Sequence, residues 1–186
     1  MQLTVPEMIP HAFTVAEYMS LDTAVRTELL AGAVYEVSPR KEPHRHAVRE
    51  LGRILNRGLP EALYVVQVQD AVAVPGWDGR DAPEVDIAVL ARKEYWPGPT
   101  SADAFAFVEV SDTTYAVDRG YKIPLYVNAG VAAWIVNLQQ RQVEQYESAA
   151  DLASPHGRVR GEGDAFSILG VKIGVRDLLC SRPDGS

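Results

Sequence analysis

"FAFVEVSDTTYAVDRGYKIPLYVNAG", residues 105–130, begins as an apolar run and continues with helical spacing. Phe105 to Val110 read as a strand buried on both faces, and Glu109 lies inside it between Val108 and Val110. A carboxylate there loses hydration and is costly unless a cation or a proton meets it. Residues 116–130 read as a helix closed by Asn128-Ala129-Gly130, with Pro124 kinking it or marking a break near Gly120.

Upstream, "VDIAVL" (85–90) is a second run of the same buried kind, and Asp86 opens it close behind Glu84. The intervening loop is long enough for the two strands to lie side by side. The two carboxylates would then converge, and like charges at short range must share a proton or a cation. Hard oxygen donors of this kind suit Mg²⁺ or Mn²⁺ rather than zinc. The alternative is that Asp86 caps a loop and Glu109 pairs with an arginine. Lys122 falls on the helix after Glu109, where it can polarise an attacking water or steady charge on a phosphate. A solvated helix-face lysine would look the same. Glu28, at the start of "TELLAGAVYEVS" (27–38), can ligate or brace such a site, or simply face solvent.

Thr14 with Glu17 three residues on is a capping box that starts a short helix. Residues 27–38 read as two strands around an Ala31-Gly32 turn. "PHRHAVRELGRILNRGLPEAL" (43–63) is the clearest helix, with Val48, Leu51, Leu55 and Leu59 in one apolar stripe. Arg45, Arg49, Arg53 and Arg57 recur every four residues on another flank, preceded by Arg40, Lys41, His44 and His46. Arg45, Arg49 and Arg53 are candidates for tracking phosphates, set against a solvated face partnered by Glu50 and Glu61. Residues 63–74 read as one strand or two, and 75–83 as a turn-rich loop. Two more strands fall at 132–138 and 142–147. Residues 151–164 read as loop, 166–173 as strand-like and 175–179 as a short final helix.

A length of 186 residues suits one domain, expected over 13–180 between a loose arm (1–12) and a tail (181–186). The formal net charge of −7 argues against a nucleic-acid binder of the whole-surface kind, so such a role must rest on a local basic patch. Cys180, the only cysteine, excludes an internal disulfide and a cysteine-based zinc site, and fits a reducing cytoplasm. No signal peptide or membrane-spanning run is evident, so the expectation is a cytoplasmic protein with no membrane partner. GxSxG, Walker, Rossmann and HExxH motifs are absent.

The order "TVAEY…TELLAGAVYEVSP…H…L…L…EVDIAVL…FVEVSDTTYAVDRGYKIPLYVNAGVAAWIVNL…VEQY" resembles the Uma-two family of restriction endonucleases, within the PD-(D/E)XK nuclease superfamily. The resemblance runs from about residue 13 to 180, and its most specific piece is "VEVSDTTYAVDRGYKIPLYVNAGVAAWIV". It implies a mixed α/β (α+β) fold: a restriction-endonuclease-like core with a central mixed sheet flanked by helices, plus β-hairpins. The implied activity is metal-dependent hydrolysis of DNA phosphodiesters with Mg²⁺ or Mn²⁺, alternatively a catalytically silent binding or assembly domain. Residue by residue, Asp86 and Glu109 match the family's metal-binding acids, Lys122 its helix lysine and Glu28 its hairpin glutamate. Val85 stands where the family has proline. Ser111 stands where most of the superfamily has lysine, so the lysine must come from the helix. A homodimer is expected, because cutting both strands of a duplex needs two sites. "AAWIVNL" (132–138), Trp77, Tyr95 and Trp96 are candidates for its contact. Removing the Asp86 charge is expected to leave the fold intact or to stabilise it, by relieving repulsion with Glu109.

Overall fold

The computed structural model describes residues 11–37 and 39–181; most of the expected arm and tail lie outside the described residues. Thr14 caps α1 (Val15–Met19): its hydroxyl accepts from the Glu17 N–H, and the Glu17 carboxylate accepts from the Thr14 N–H. β1 (Thr27–Leu30) and β2 (Ala33–Glu36) form the expected hairpin, with φ of 49° at Ala31 and 79° at Gly32. Glycine is required in the second position, since a Cβ would lie 3.1 Å from Ala12 Cβ and 3.3 Å from Phe13 O. α2 (Glu42–Gly58) buries Val48, Leu51 and Leu55 as its stripe requires. It stops at Gly58 rather than near 63, because Leu59 is extended ahead of Pro60.

β3 (Tyr64–Ala71), β4 (Glu84–Ala91), β5 (Ala104–Ser111), β6 (Ala132–Asn137), β7 (Gln142–Tyr146) and β8 (Arg158–Gly161) make one mixed sheet in that order. β5 and β6 are parallel and the other neighbours antiparallel. A parallel pair needs a crossover. Here it consists of α3 (Tyr115–Val117), a π-helical turn over Asp118–Lys122 and α4 (Ile123–Asn128). The Ile123 N–H reaches back to Asp118 O, and Pro124 has no N–H to continue the α pattern from Gly120. The break expected near Gly120 is thus a widened turn inside a continuous helical path.

Side chains alternate along β5: Ala106, Val108 and Val110 join the core under α2, while Phe107 joins the core under α4 with Ile123 and Tyr126. After β7 come α5 (Ala149–Ala153), β8, and a hairpin of β9 (Ala165–Ile168) and β10 (Val171–Gly174). That hairpin and the 3₁₀ turn Val175–Leu178 close the α2 side of the core. Residues 151–164 are therefore not all loop. Ser148 caps α5 through Asp151, and β8 is a charged edge strand held by pairing with β7. β6 lies between β5 and β7 and is buried, with Trp134 only 4% exposed. "AAWIVNL" therefore cannot be the dimer contact.

Candidate active site

β4 and β5 are neighbours in register, with Ile87 opposite Val108. One step further sets Asp86 level with Glu109, and both carboxylates line a cavity of about 680 Å³. Glu28 and Lys122 line it too. The hairpin β1–β2 forms one wall, the loop before α2 another, and the π-helical turn a third. The four residues that the family resemblance groups into a site are thus brought together.

Glu109 is 2% exposed and faces the α4 side, as its alternation with Phe107 requires. Its Oε1 accepts a 2.6 Å hydrogen bond from the Tyr126 hydroxyl and lies 3.6 Å from Lys122 Nζ. Oε2 has no hydrogen-bond partner among the described residues. Burial drives the Glu109 pKa well above the ordinary carboxylate value; Lys122 opposes this, and the charges of Asp118 and Asp86 reinforce it. The turn's widening carries Lys122 inward: Nζ is 2.8 Å from Glu28 Oε2 and donates to Glu84 O at 3.1 Å. Burial alone would lower the lysine's pKa, but Glu109, Glu28 and Asp118 outweigh it and hold it above the ordinary value. Lys122 is held as a cation among these carboxylates.

Asp86, 3% exposed, is held differently. Its Oδ2 accepts from His44 Nε2 at 3.0 Å and from the Val110 N–H at 2.9 Å, so its side chain extends the strand ladder where β4 and β5 part. Arg40 Nη2 lies 3.0 Å from Oδ1 and 2.5 Å from Glu84 Oε1. Glu84 is also gripped by Arg26. Burial pushes the Asp86 pKa up, yet the His44 bond and charge, Arg40 and the Val110 N–H together bring it below the ordinary value. Asp86 Oδ1, Arg40 Nη1 and His44 Nδ1 are buried without a hydrogen-bond partner, three such atoms in one cluster. Buried polar atoms are normally satisfied, so this cluster is built to meet something further.

Two carboxylates on one cavity, one with an oxygen that faces the Arg40 guanidinium at 3.0 Å without a well-aligned hydrogen bond, fit Mg²⁺ or Mn²⁺, which typically take one or two protein carboxylates and complete their shell with water and phosphate oxygens. Among the described residues no three His, Cys, Asp or Glu side chains group as a metal cluster.

Arg40, His44, Glu84, Asp118 and Tyr126 were not assigned to the site from sequence. His44 was within reach, for it stands four residues before Val48 and so continues the buried stripe of α2. Asp118 accepts hydrogen bonds from the Ser111 and Thr114 hydroxyls, both at 2.6 Å, which pin the crossover to the end of β5. Ser111, in the place of the superfamily lysine, thus anchors the turn that delivers Lys122. Arg45, Arg49 and Arg53 do not line the cavity; they lie on the solvated flank of α2 in ion pairs with Glu42 and Glu50.

The raised Glu109 pKa has a signed consequence. The folded state holds a proton that the unfolded chain releases near the ordinary value of 4.5. Without divalent cations, stability should therefore be full below that pH and fall as pH rises toward the folded pKa. Glu109→Gln should flatten this fall and leave the variant the more stable protein at neutral pH. Melting temperatures in EDTA across the pH range decide it; a wild-type profile rising from pH 5 to 7 would contradict it.

A mixed sheet with buried acids on adjacent strands and a crossover lysine beside them defines a restriction-endonuclease-like fold. The chain belongs to the Uma2 family, described as "Putative restriction endonuclease", whose model matches residues 15–175. A solved structure described as "a putative nuclease belonging to DUF820", from Anabaena variabilis, shares the fold with a TM-score of 0.65. It is 14% identical, and the match covers 89% of this chain and 97% of that one. No curated protein matches the sequence. No helix among the described residues is long and apolar enough to cross a membrane.

Proposed function

We propose that the protein is a Mg²⁺- or Mn²⁺-dependent endonuclease that hydrolyses DNA phosphodiester bonds. The observation that carries this reading is the convergence of Asp86, Glu109 and Lys122 on one cavity. Asp86 and Glu109 would hold the cation, which when bound supplies a water of lowered pKa and screens phosphate charge. Lys122, held as a cation, faces the charge that develops on the phosphate. Glu28 fixes the lysine from the hairpin side, and Tyr126 fixes Glu109. His44 orients Asp86, and Arg40 offers its unpartnered Nη1 to a phosphate oxygen.

The test is cleavage of plasmid and single-stranded DNA with Mg²⁺, Mn²⁺ or EDTA, beside Asp86→Ala. Metal-dependent cutting that the variant lacks is the expected result; intact DNA under every condition would sink the reading. One observation favours a second reading, a silent binding or assembly domain: Arg40 already neutralises Asp86, and His44 hydrogen-bonds it. Nucleic-acid binding without cleavage would support it.

The arginine flank of α2 starts beside the cavity, where Arg45 Nη1 donates to Arg40 O at 2.9 Å. In the proposed complex, strand leaving the cavity runs along Arg45, Arg49 and Arg53. Changing Arg49 and Arg53 to Gln should weaken DNA binding and reduce the salt slope by about one for each phosphate that is no longer neutralised. An unchanged slope would make the flank a solvated face. We further propose a cytoplasmic homodimer. Of the proposed contacts Trp96 is the one fully offered, at 95% exposed, while Trp77 and Tyr95 pack on cores. Light scattering should give twice the chain mass and fall toward monomer in Trp96→Ser; a wild-type monomer would refute the dimer.

A further inference from the structure

We infer that the cavity takes an unpaired nucleotide, with Tyr35 as the platform for its base, so that the preferred substrate is single-stranded or locally unpaired DNA. This rests on the nuclease reading above and specifies the substrate of that same site.

The first observation is where Tyr35 stands. It is the cross-strand partner of Glu28 in the β1–β2 hairpin, and directly opposed residues of an antiparallel pair share a face. Glu28 holds Lys122 on that face, so Tyr35 is fixed beside the reacting centre and lines the same cavity. Tyr35 is 53% exposed and belongs to none of the three hydrophobic cores. An aromatic residue so placed contributes little to folding, and it borders the site.

The second observation is the shape and lining of the cavity. About 680 Å³ is within the range of pockets that enclose one small molecule, roughly 300–1,000 Å³. Asp86, Glu109 and Lys122 are at most 6% exposed at its base. Leu30, Val37, Pro39 and Val117 line its wall, and carboxylates outnumber cations around it. Duplex affinity comes mainly from many phosphate contacts on a basic surface; the cavity wall itself offers no such surface, and the Arg45, Arg49 and Arg53 flank lies outside it. A paired base hides its ring faces in the stack. Only an unpaired base can lay one on Tyr35, and such stacking is indifferent to sequence. Apolar and aromatic walls over a small acidic base suit one extruded nucleotide whose phosphate meets Lys122 and Arg40.

The experiment compares a fluorescein-labelled oligonucleotide with the same strand annealed to its complement. Binding is read by anisotropy in Ca²⁺ and cleavage in Mg²⁺, for wild type, Tyr35→Ala and Tyr35→Phe, each checked for native circular dichroism. The single strand should bind wild type at least about ten-fold more tightly than the duplex. Tyr35→Ala should lose about five- to 150-fold for the single strand, the equivalent of one stacked base. Tyr35→Phe should keep wild-type binding, because the ring and not the hydroxyl does the work. Equal affinity for duplex and single strand, or equal losses in Ala and Phe, would overturn the inference. Duplex cut as fast as single strand would overturn it while leaving the nuclease reading intact. Tyr35-dependent binding of the single strand with no cleavage would instead sink the nuclease reading. Failure to bind either probe overturns both.

Discussion

Asp86→Asn is expected to abolish cleavage and to destabilise the fold by about 1–3 kcal/mol at neutral pH. In the proposed mechanism loss of cleavage follows because the amide removes a charge from the cation site and turns one oxygen donor into an N–H₂. The stability loss reverses the expectation from sequence, in which repulsion from Glu109 dominated. In the folded chain Asp86 is surrounded by donors: His44 Nε2, the Val110 N–H and Arg40 Nη2 all lie within 3.0 Å of its oxygens. Glu109, the would-be repelling neighbour, has its pKa raised and favours its proton. The sign can be followed in pH. Asp86 has a depressed folded pKa, so its stabilisation is present above the ordinary value of 3.8 and is lost as pH falls through the folded value. Urea unfolding of wild type and variant should therefore differ at pH 7 and converge in acid. A variant as stable as wild type at pH 7 would mean that Arg40 and His44 do not hold this carboxylate in solution.

That reversal shows what the sequence could and could not convey. The adjacency of β4 and β5 was legible because "VDIAVL" and "FAFVEV" are each a continuous apolar run carrying one acid, and only a sheet interior explains both. The Ala31-Gly32 hairpin, the Thr14 cap and the stripe of α2 were legible because turn chemistry and helical period are local. The break around Gly120 and Pro124 was legible as a break, but not as a π turn that swings Lys122 inward. The partners of Asp86 were not legible, because Arg40 and His44 arrive from the start of α2 through the packing of that helix on the sheet. β8 was hidden for a similar reason: "RVRG" has no apolar run, and its strand character comes from pairing with β7. The cap that starts α5 was present in the letters, as Ser148 with Asp151 three residues on, and is a local signal of the same kind as Thr14 with Glu17.

Lys122→Met should lose turnover and about 3–5 kcal/mol of folding free energy, the usual consequence of removing one partner from a buried charge cluster. The lysine is 6% exposed and is the shared cation of Glu28, Glu109 and Asp118. Methionine keeps the volume and removes the charge, so Glu28 is left facing the buried carboxylates without its partner. Adding Glu28→Gln to Lys122→Met should restore part of the stability, because the uncompensated charge is then gone. It should restore none of the turnover if Lys122 acts as proposed, because no cation then faces the developing phosphate charge. A purely structural lysine would give a different pattern, with activity returning as the fold recovers. The divalent ion offers an independent reading. If it is held by Asp86 and Glu109, Mg²⁺ or Mn²⁺ should raise the melting temperature of Lys122→Met more than that of wild type, since in the variant it replaces a missing charge. Equal or smaller shifts in the variant would show that the cation binds away from the carboxylates that Lys122 serves.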